Sequence, residues 1–460
     1  MSDYQLIVIG AGPAGYMAAL RAEELGMHTA VVESREVGGT CLNRGCVPTK
    51  TILHASRIYR DALAGDRIGV HVDGAKADIT GIFAYKRSVS QKLSGGIESL
   101  FQRAGVQLLR GTASITEPGA VCVADQDGVE QVYTADKILI ATGSAPARPP
   151  IPGLDLPGVM TSDELLEGAD HLYKSIVIIG GGVIGVEFAT FYADLGCGVT
   201  IVEGLDRLMP TLDRELGQNL AQILKKQGVK IFTSAMVQSV ERSEDGLTVN
   251  FTAKGIPGAV NAETVLCAIG RRPYLDGLFP GTLRPEMNGR AVKVDEAYQT
   301  SIPGIYAIGD VSSPIQLAHV ASAQGVACVE GLCGKAGTVN MSVVPSCIYC
   351  RPEIAVVGMS EAEAKAAGIP VKAGKHVMFD NARTLIADTG RAFMKIVARA
   401  DTHEIIGAQL MCENSTDIIS QISQAIANHM TAEQLLRAMR PHPTFEEAMT
   451  QALEALTGEK

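Results

Sequence analysis

Residues 4–15 read YQLIVIGAGPAG, and the chain then runs through an alanine-rich helical pattern to TAVVE at 29–33. The short apolar run before Gly10 fits a buried strand, and a glycine turn with a helix signal follows at once. In Gly10-x-Gly12-x-x-Gly15 each glycine has its own task. Gly10 makes the tight turn, Gly12 lets a diphosphate approach backbone amides at the helix start, and Gly15 permits close helix–sheet packing. Glu33 ends the second strand, where a carboxylate can accept ribose hydroxyl bonds. A glycine turn alone is common in α/β proteins. Strand, helix and terminal acid in register point instead to a βαβ unit that binds a dinucleotide.

The same plan recurs at 175–203, as SIVIIG, GGGVIG, a helical pattern and VTIVE. It places Gly180, Gly182, Gly185 and Glu203 where Gly10, Gly12, Gly15 and Glu33 stand in the first unit. Two units predict two dinucleotides. Glu203 would bond the adenosine ribose of NAD and repel the extra phosphate of NADP. Arg207, four residues on, is the counter-signal and reads as a solvated surface charge. Ala141-Thr142-Gly143 after the strand ILI, and Asp310 at the end of IYAIGD, suit either flavin contacts or plain turns.

Between the units, SAPARPPIP (144–152) reads as a proline-rich linker and a domain boundary. Helical patterns occupy 54–104 and short strands 121–140. A strand is expected over 305–310 and a helix over 318–332. From about Val343 alternating strands precede helices at 417–429 and 432–439, which suggests a separate α+β domain.

At 460 residues the length suits about three domains. With 46% hydrophobic and 20% charged residues the composition is that of a globular protein with ample core. The net charge of −10 argues against nucleic acid or an anionic membrane as partner. The N-terminus does not read as a secretory leader, and no apolar stretch is long enough to span a bilayer. The expected compartment is the cytoplasm.

Ten cysteines in a chain of this length are not the density of a disulfide-stapled secreted domain. Cys122, Cys197, Cys267, Cys328, Cys333, Cys347, Cys350 and Cys412 read as small hydrophobes. Cys347-x-x-Cys350 lacks a second CxxC at zinc-finger spacing, so no metal is expected. Cys41 and Cys46 differ. In GGTCLNRGCVPTK (38–50) they stand with four residues between them, ahead of a helix, and can close a small disulfide that relays two electrons. The alternative is two reduced core cysteines, against which the flanking glycines argue. Pro48 suits a first helical turn, so Cys46 sits near a helix N-terminus that favours a thiolate. Lys50 follows on the same helix face.

The last motif is HPTFEE (442–447). A dithiol substrate needs a base, and histidine is the side chain that most often serves as one, which makes His442 the candidate. Glu447 can orient that imidazole, or can serve as the acid of a Thr444-x-x-Glu447 capping box.

Taken together, these residues resemble the class I pyridine nucleotide–disulfide oxidoreductases, from GAGPAG to HPTFEE. Within that family GGTCLNRGCVPTK, GGGVIGVEFA and LAHVASAQG are similar to the members that oxidise dihydrolipoamide. The resemblance implies an α/β fold with two Rossmann-like dinucleotide-binding domains and a C-terminal α+β dimerisation domain. It implies an FAD domain at 1–143, an NAD domain at 144–270, a central region completing the FAD domain at 271–340 and a dimerisation domain at 341–460. Cys41 would be the cysteine attacked by substrate, Cys46 the one against the flavin, His442 the base and Glu447 its partner. Lys50 would lie near the flavin, paired with Glu187.

The resemblance further implies that Gly10, Gly12, Pro13, Gly15, Glu33, Thr40, Lys50, Ala113, Thr142, Gly143, Asp310 and Ala318 hold FAD. Gly180, Gly182, Gly185, Glu203, Val237 and Gly270 would lie at the NAD site. The implied assembly is a homodimer in which His442 of one subunit reaches the disulfide of the other. Lipoyl domains of a 2-oxo acid dehydrogenase acyltransferase, or the lipoyl carrier of glycine cleavage, would be the partners. Arg44 between the cysteines and Arg440-Pro441 before the histidine depart from the common family pattern. A glutathione-reductase-type enzyme using NADPH is the nearest rival. Glu203 argues against it, as does Thr49 in place of a second lysine. A non-catalytic flavoprotein scaffold is the remote one.

Overall fold

The computed structural model describes residues 2–244, 246–337 and 339–458. Strand β1 (Tyr4–Ile9), helix α1 (Pro13–Glu24) and strand β2 (Thr29–Glu33) form the first βαβ unit. β1 lies parallel between β2 and the strand Glu130–Ile140, with Val8 opposite both Val31 and Leu139. Leu6, Ile7 and Val8 are fully buried, as a parallel strand covered on both faces requires. Gln107–Arg110 extends the sheet beyond β2, and Ala120–Ala124 and Thr112–Glu117 extend it on the other side. The strand Ile305–Ala307 also pairs parallel with Glu130–Ile140. The chain therefore returns to its first sheet after building the second unit. The expected strand over 305–310 stops at Ala307, and Asp310 lies in the tight turn Gly309–Val311 just beyond.

The second unit contains the strand Ser175–Ile179, the helix Val183–Asp194 and the strand Gly198–Val202, in a parallel sheet with Lys230–Phe232, Thr264–Cys267 and Val159–Thr161. An antiparallel three-stranded sheet, Ala235–Ser243, Gly246–Ala253 and Ile256–Ala262, is inserted within it. The stretch read as a linker is itself structured. Ser144–Pro146 pairs antiparallel with Arg271–Pro273, so the two passes between the sheets are tied side by side.

Residues beyond 343 build a five-stranded antiparallel sheet, ordered Ser346–Ile348, Ile354–Gly358, Ile405–Met411, Phe393–Arg399 and Val371–Val377. The helices Ser415–Ala427 and Glu447–Thr457 pack on it. The helix expected over 432–439 spans only Ala432–Leu436. Pro441 and Pro443 lie just past it, and neither has an N–H to continue a helix.

What positions the site is one core that draws on all three regions. Ile52 and Leu53 of the helix α3 (Cys46–Ala64) pack in the same cluster as Val186 and Phe188 of the second unit and Ile348 and Ile354 of the C-terminal sheet. Burying each such side chain contributes about 1.5–3 kcal/mol, so the cysteine-bearing helix cannot shift without disturbing three packed faces.

Candidate active site

The two nucleotide loops obey one steric rule. Gly10 has φ +104°, and a Cβ there would stand 2.5 Å from the Ala141 carbonyl oxygen. Gly180 has φ +110°, and its Cβ would stand 2.5 Å from the Ala268 carbonyl oxygen. Gly15 and Gly185 face back into their own turns, with a Cβ 1.8 Å from Gly10 O and 2.0 Å from Gly180 O respectively. These two are packing glycines, set behind the cleft. At Gly182 a Cβ would meet nothing, and at Gly12 only a Gly39 Cα at 3.9 Å. The surface offered to a diphosphate is therefore bare backbone.

The two strand-end acids brace their loops. Glu33 accepts from Ala11 N and Arg35 N, both at 2.8 Å. Glu203 accepts from Gly181 N at 2.5 Å and Leu205 N at 2.7 Å. Each carboxylate oxygen keeps a lone pair for a further donor. Arg207, read as a solvated charge, is instead tied down. It donates to Asp206 at 2.9 Å and to the Pro210 carbonyl at 2.7 Å, and it does not line the cleft.

One continuous cleft of about 1570 Å³ joins the loops. Gly10, Gly12, Pro13, Glu33, Thr40 and Ala113 line its first arm, with Thr142, Gly143, Asp310 and Ala318 beside them. Gly180, Gly182, Glu203, Val237 and Gly270 line the second. A drug-sized pocket is about 300–1,000 Å³, so this volume suits two extended dinucleotides. Sequence reading missed Arg271 here. Its Nε donates to Ser144 Oγ at 2.8 Å, and Ser144 Oγ donates to Asp310 at 2.5 Å. Burial raises the Asp310 carboxyl, against the pull of Ser144 and Arg271.

The redox segment grows directly out of the first loop. Gly38 and Gly39 have φ +94° and +57°, and a Cβ on Gly39 would lie 2.7 Å from Gly12 Cα. Backbone thus packs on backbone, and only glycine permits it. Cys41 falls in the short helix α2 (Gly39–Asn43), and Cys46 is the first residue of α3. Both line the cleft. They stand as free thiols, the dithiol form of the expected disulfide. The Cys41 thiol hydrogen-bonds Cys46 and thereby lowers Cys46 from 9.0 to about 7, against burial and with help from the Lys50 charge. The same hydrogen bond, reinforced by burial, drives Cys41 upward. One thiol is poised as the thiolate and the other keeps its proton.

Lys50 Nζ contacts both oxygens of Glu187, at 3.0 and 2.9 Å. Burial opposes its charge, but Glu187 outweighs that and Lys50 is raised overall. Arg44 forms an ion pair with Glu36, so the cation between the cysteines is neutralised locally.

His442 and Glu447 lie elsewhere. Nδ1 of His442 is 2.8 Å from one Glu447 oxygen, while the other oxygen accepts from Thr444 N at 2.8 Å. Both expected roles of Glu447 are therefore filled at once. The carboxyl is lowered by the Thr444 amide and then by His442. The imidazole is 72% exposed and outside the cleft, so a single chain does not bring the base to the cysteines. Arg440 turns inward and donates to Thr450 Oγ1 at 3.1 Å.

Residues 4–325 match the family model for pyridine nucleotide-disulphide oxidoreductases, and residues 344–453 match its dimerisation domain. The chain belongs to this family. Similar relatives include the dihydrolipoyl dehydrogenase of Bacillus subtilis, 37% identical over 98% of this chain and 96% of that protein. Dihydrolipoyl dehydrogenase 3 of Pseudomonas putida is 37% identical over 100% of this chain and 99% of that protein. Among solved structures, LpdA from Mycobacterium tuberculosis aligns with TM-score 0.89 at 28% identity, covering 98% of this chain and 99% of that one. The HOCl-induced flavoprotein disulfide reductase RclA from Escherichia coli aligns with TM-score 0.87 at 27% identity, covering 98% and 99%. As a pyridine nucleotide–disulphide oxidoreductase the chain is an enzyme whose cofactors are FAD and NAD(H). Among the described residues no helix is long and apolar enough to cross a membrane.

Proposed function

We propose that this oxidoreductase oxidises protein-bound dihydrolipoamide to lipoamide and reduces NAD+ to NADH. The observation that carries the reading is a cysteine pair, one thiol lowered to about 7, opening onto the cleft that two dinucleotide loops share. The named relatives supply the dithiol's identity. In this reading FAD lies along residues 1–143 and 271–340, NAD along 144–270, and residues 341–460 hold two chains together.

The catalytic cycle starts from the Cys41–Cys46 disulfide. His442 of the partner subunit takes a proton from one substrate thiol, while Glu447 holds the other ring nitrogen. The substrate thiolate attacks Cys41 Sγ, the disulfide breaks and Cys46 leaves as a thiolate. The second substrate thiol then attacks the sulfur bonded to Cys41 and closes lipoamide. Cys41 departs with a proton, in keeping with its upward shift. One substrate proton ends on Cys41 and the other on the imidazole. Bound FAD supplies the two-electron transfer that couples Cys46 to the nicotinamide. Glu203, with Arg207 tied to Asp206, supports NAD over NADP.

The partners are lipoyl domains of a 2-oxo acid dehydrogenase acyltransferase, or the lipoyl carrier of glycine cleavage, met by a homodimer. A reducing cytoplasm suits five buried unpaired cysteines, among the described residues, away from the redox pair. The test compares NAD+ reduction by dihydrolipoamide with NADPH oxidation by glutathione disulfide. The first arm should be fast and the second silent. The reverse would replace this reading with the glutathione-reductase type, and silence in both arms from FAD-loaded protein would replace it with another disulfide substrate or a scaffold.

A further inference from the structure

Tyr349 lines the cleft beside the cysteines although it belongs to the C-terminal region, one residue past the strand Ser346–Ile348. Its ring faces the Lys50 ammonium, with Nζ 4.7 Å from the centroid. Its backbone N–H donates to Glu187 Oε1 at 3.0 Å, the oxygen that also accepts from Lys50. Two residues on, Arg351 reaches back to Asp61 of α3 at 2.6 Å. The segment is thus pinned to the cysteine helix and to the second unit at once.

A lysine side chain is long and rotamer-rich, so its charge acts on a neighbour only if something holds it in place. Glu187 holds Lys50, but its own negative charge works against a thiolate at Cys46. An aromatic face attracts the ammonium through its quadrupole and adds no net charge. Burial keeps the Tyr349 phenol above its ordinary range, so the ring stays neutral at working pH.

We infer that Tyr349 is a positioning residue whose ring holds the Lys50 ammonium toward Cys46 and so sets how much of Cys46 is thiolate. This rests on the reading of Cys46 as the thiolate member of the pair. The other ionisable groups around Lys50 and Cys46 stay in place when the ring is removed. They are Cys41 from α2, Arg44 between the cysteines, His54 and Arg57 further along α3, and Glu187 and Asp194 from the helix Val183–Asp194. Cys347, Cys350, Arg351, Glu353 and Glu413 complete the set from the C-terminal region. The Glu187 bond is made by main chain, so it too survives substitution at residue 349.

The test is alkylation of Cys46 by iodoacetamide in the FAD-loaded dithiol enzyme, read by peptide mass across about pH 5 to 10. Tyr349→Leu should raise the Cys46 midpoint by about half a pH unit, a loss of thiolate of about threefold below the midpoint. Tyr349→Phe keeps the ring and should match the parent. If the leucine variant does not fold, Tyr349→Met makes the same comparison. No rise on losing the ring, or an equal rise in Tyr349→Phe, would overturn the positioning role. A parent midpoint at the value of an ordinary thiol would instead overturn the reading of Cys46 on which it rests.

Discussion

The cysteine half of the site and the histidine half are built by opposite means. Cys41 and Cys46 line a cleft to which several regions of the chain contribute, and the glycines that lead to them touch the first nucleotide loop. His442, Glu447 and Thr444 lie within six consecutive residues, and the bonds that orient the imidazole are made among themselves, while Asn381 Nδ2 donates to the Thr444 carbonyl from outside. The first half is long-range and the second local. The local half is complete in geometry but has nothing to act on, since the imidazole faces solvent. What joins the halves is not within one chain, and the dimerisation region that carries His442 is where a second chain would supply it.

Five experiments can break or sharpen that contrast. The largest effect belongs to the cysteine half. Cys46→Ser should end dithiol-driven NAD+ reduction, a loss of about 10⁴-fold or more, with circular dichroism unchanged. Residual turnover within tenfold of the parent would remove Cys46 from the reaction.

His442→Gln should cost about 10²–10⁴-fold in dithiol oxidation but leave NADH-to-dye transfer near the parent rate, because only the proton step is lost. Equal loss of both activities would show a structural role. The same variant tests the dimer. Coexpressing Cys41→Ser and His442→Gln chains should restore activity in mixed dimers, where one site draws both groups from unaltered positions. Failure to complement would place base and cysteine in one subunit.

Glu447→Gln should be milder. It retains an acceptor for Thr444 N but weakens one charge-assisted bond, worth about 1.5–3 kcal/mol or about 10- to 100-fold in rate. An unchanged rate would reduce Glu447 to a cap.

The smallest expected effect is on stability against pH. Cys46 is lowered in the folded dithiol form, so the unfolded chain binds more protons between the two values. The dithiol protein should gain stability as pH rises from about 7 to 9, relative to Cys46→Ser. The gain is lost as pH falls through about 7. Parallel unfolding curves for the two proteins would show that no thiolate is favoured by folding.

Much of this was legible in the residues. The two βαβ units form where period and glycine spacing put them, because a buried parallel strand must be continuously apolar and the turn tolerates no Cβ at Gly10 or Gly180. The helix expected over 318–332 spans Ala318–Leu332. Local reading failed where a remote partner decides conformation. SAPARPPIP looked like a free linker because its proline content masks the pairing with Arg271–Pro273. The end of the strand before Asp310 was misplaced for a similar reason, since that strand extends only as far as its pairing with Glu130–Ile140. Tyr349 and Arg271 carried no motif, as each acts on residues more than a hundred positions away.

The sequence by itself determined the outline: two glycine loops of the dinucleotide-binding kind, a cysteine pair, a histidine with a nearby acid, and the family they belong to. Each is a short segment whose constraint is steric or local, so nearby residue types suffice to specify it. The sequence already favoured Cys46 as the thiolate, but only the tertiary structure decided how far the two thiols part. That extent depends first on the hydrogen bond from the Cys41 thiol and then on the Lys50 charge, which Glu187 holds from a distant segment while its own charge works against the thiolate. Electrostatic effects of this kind fall off over a few ångströms of space rather than along the chain, which is why they become readable only once the chain is folded.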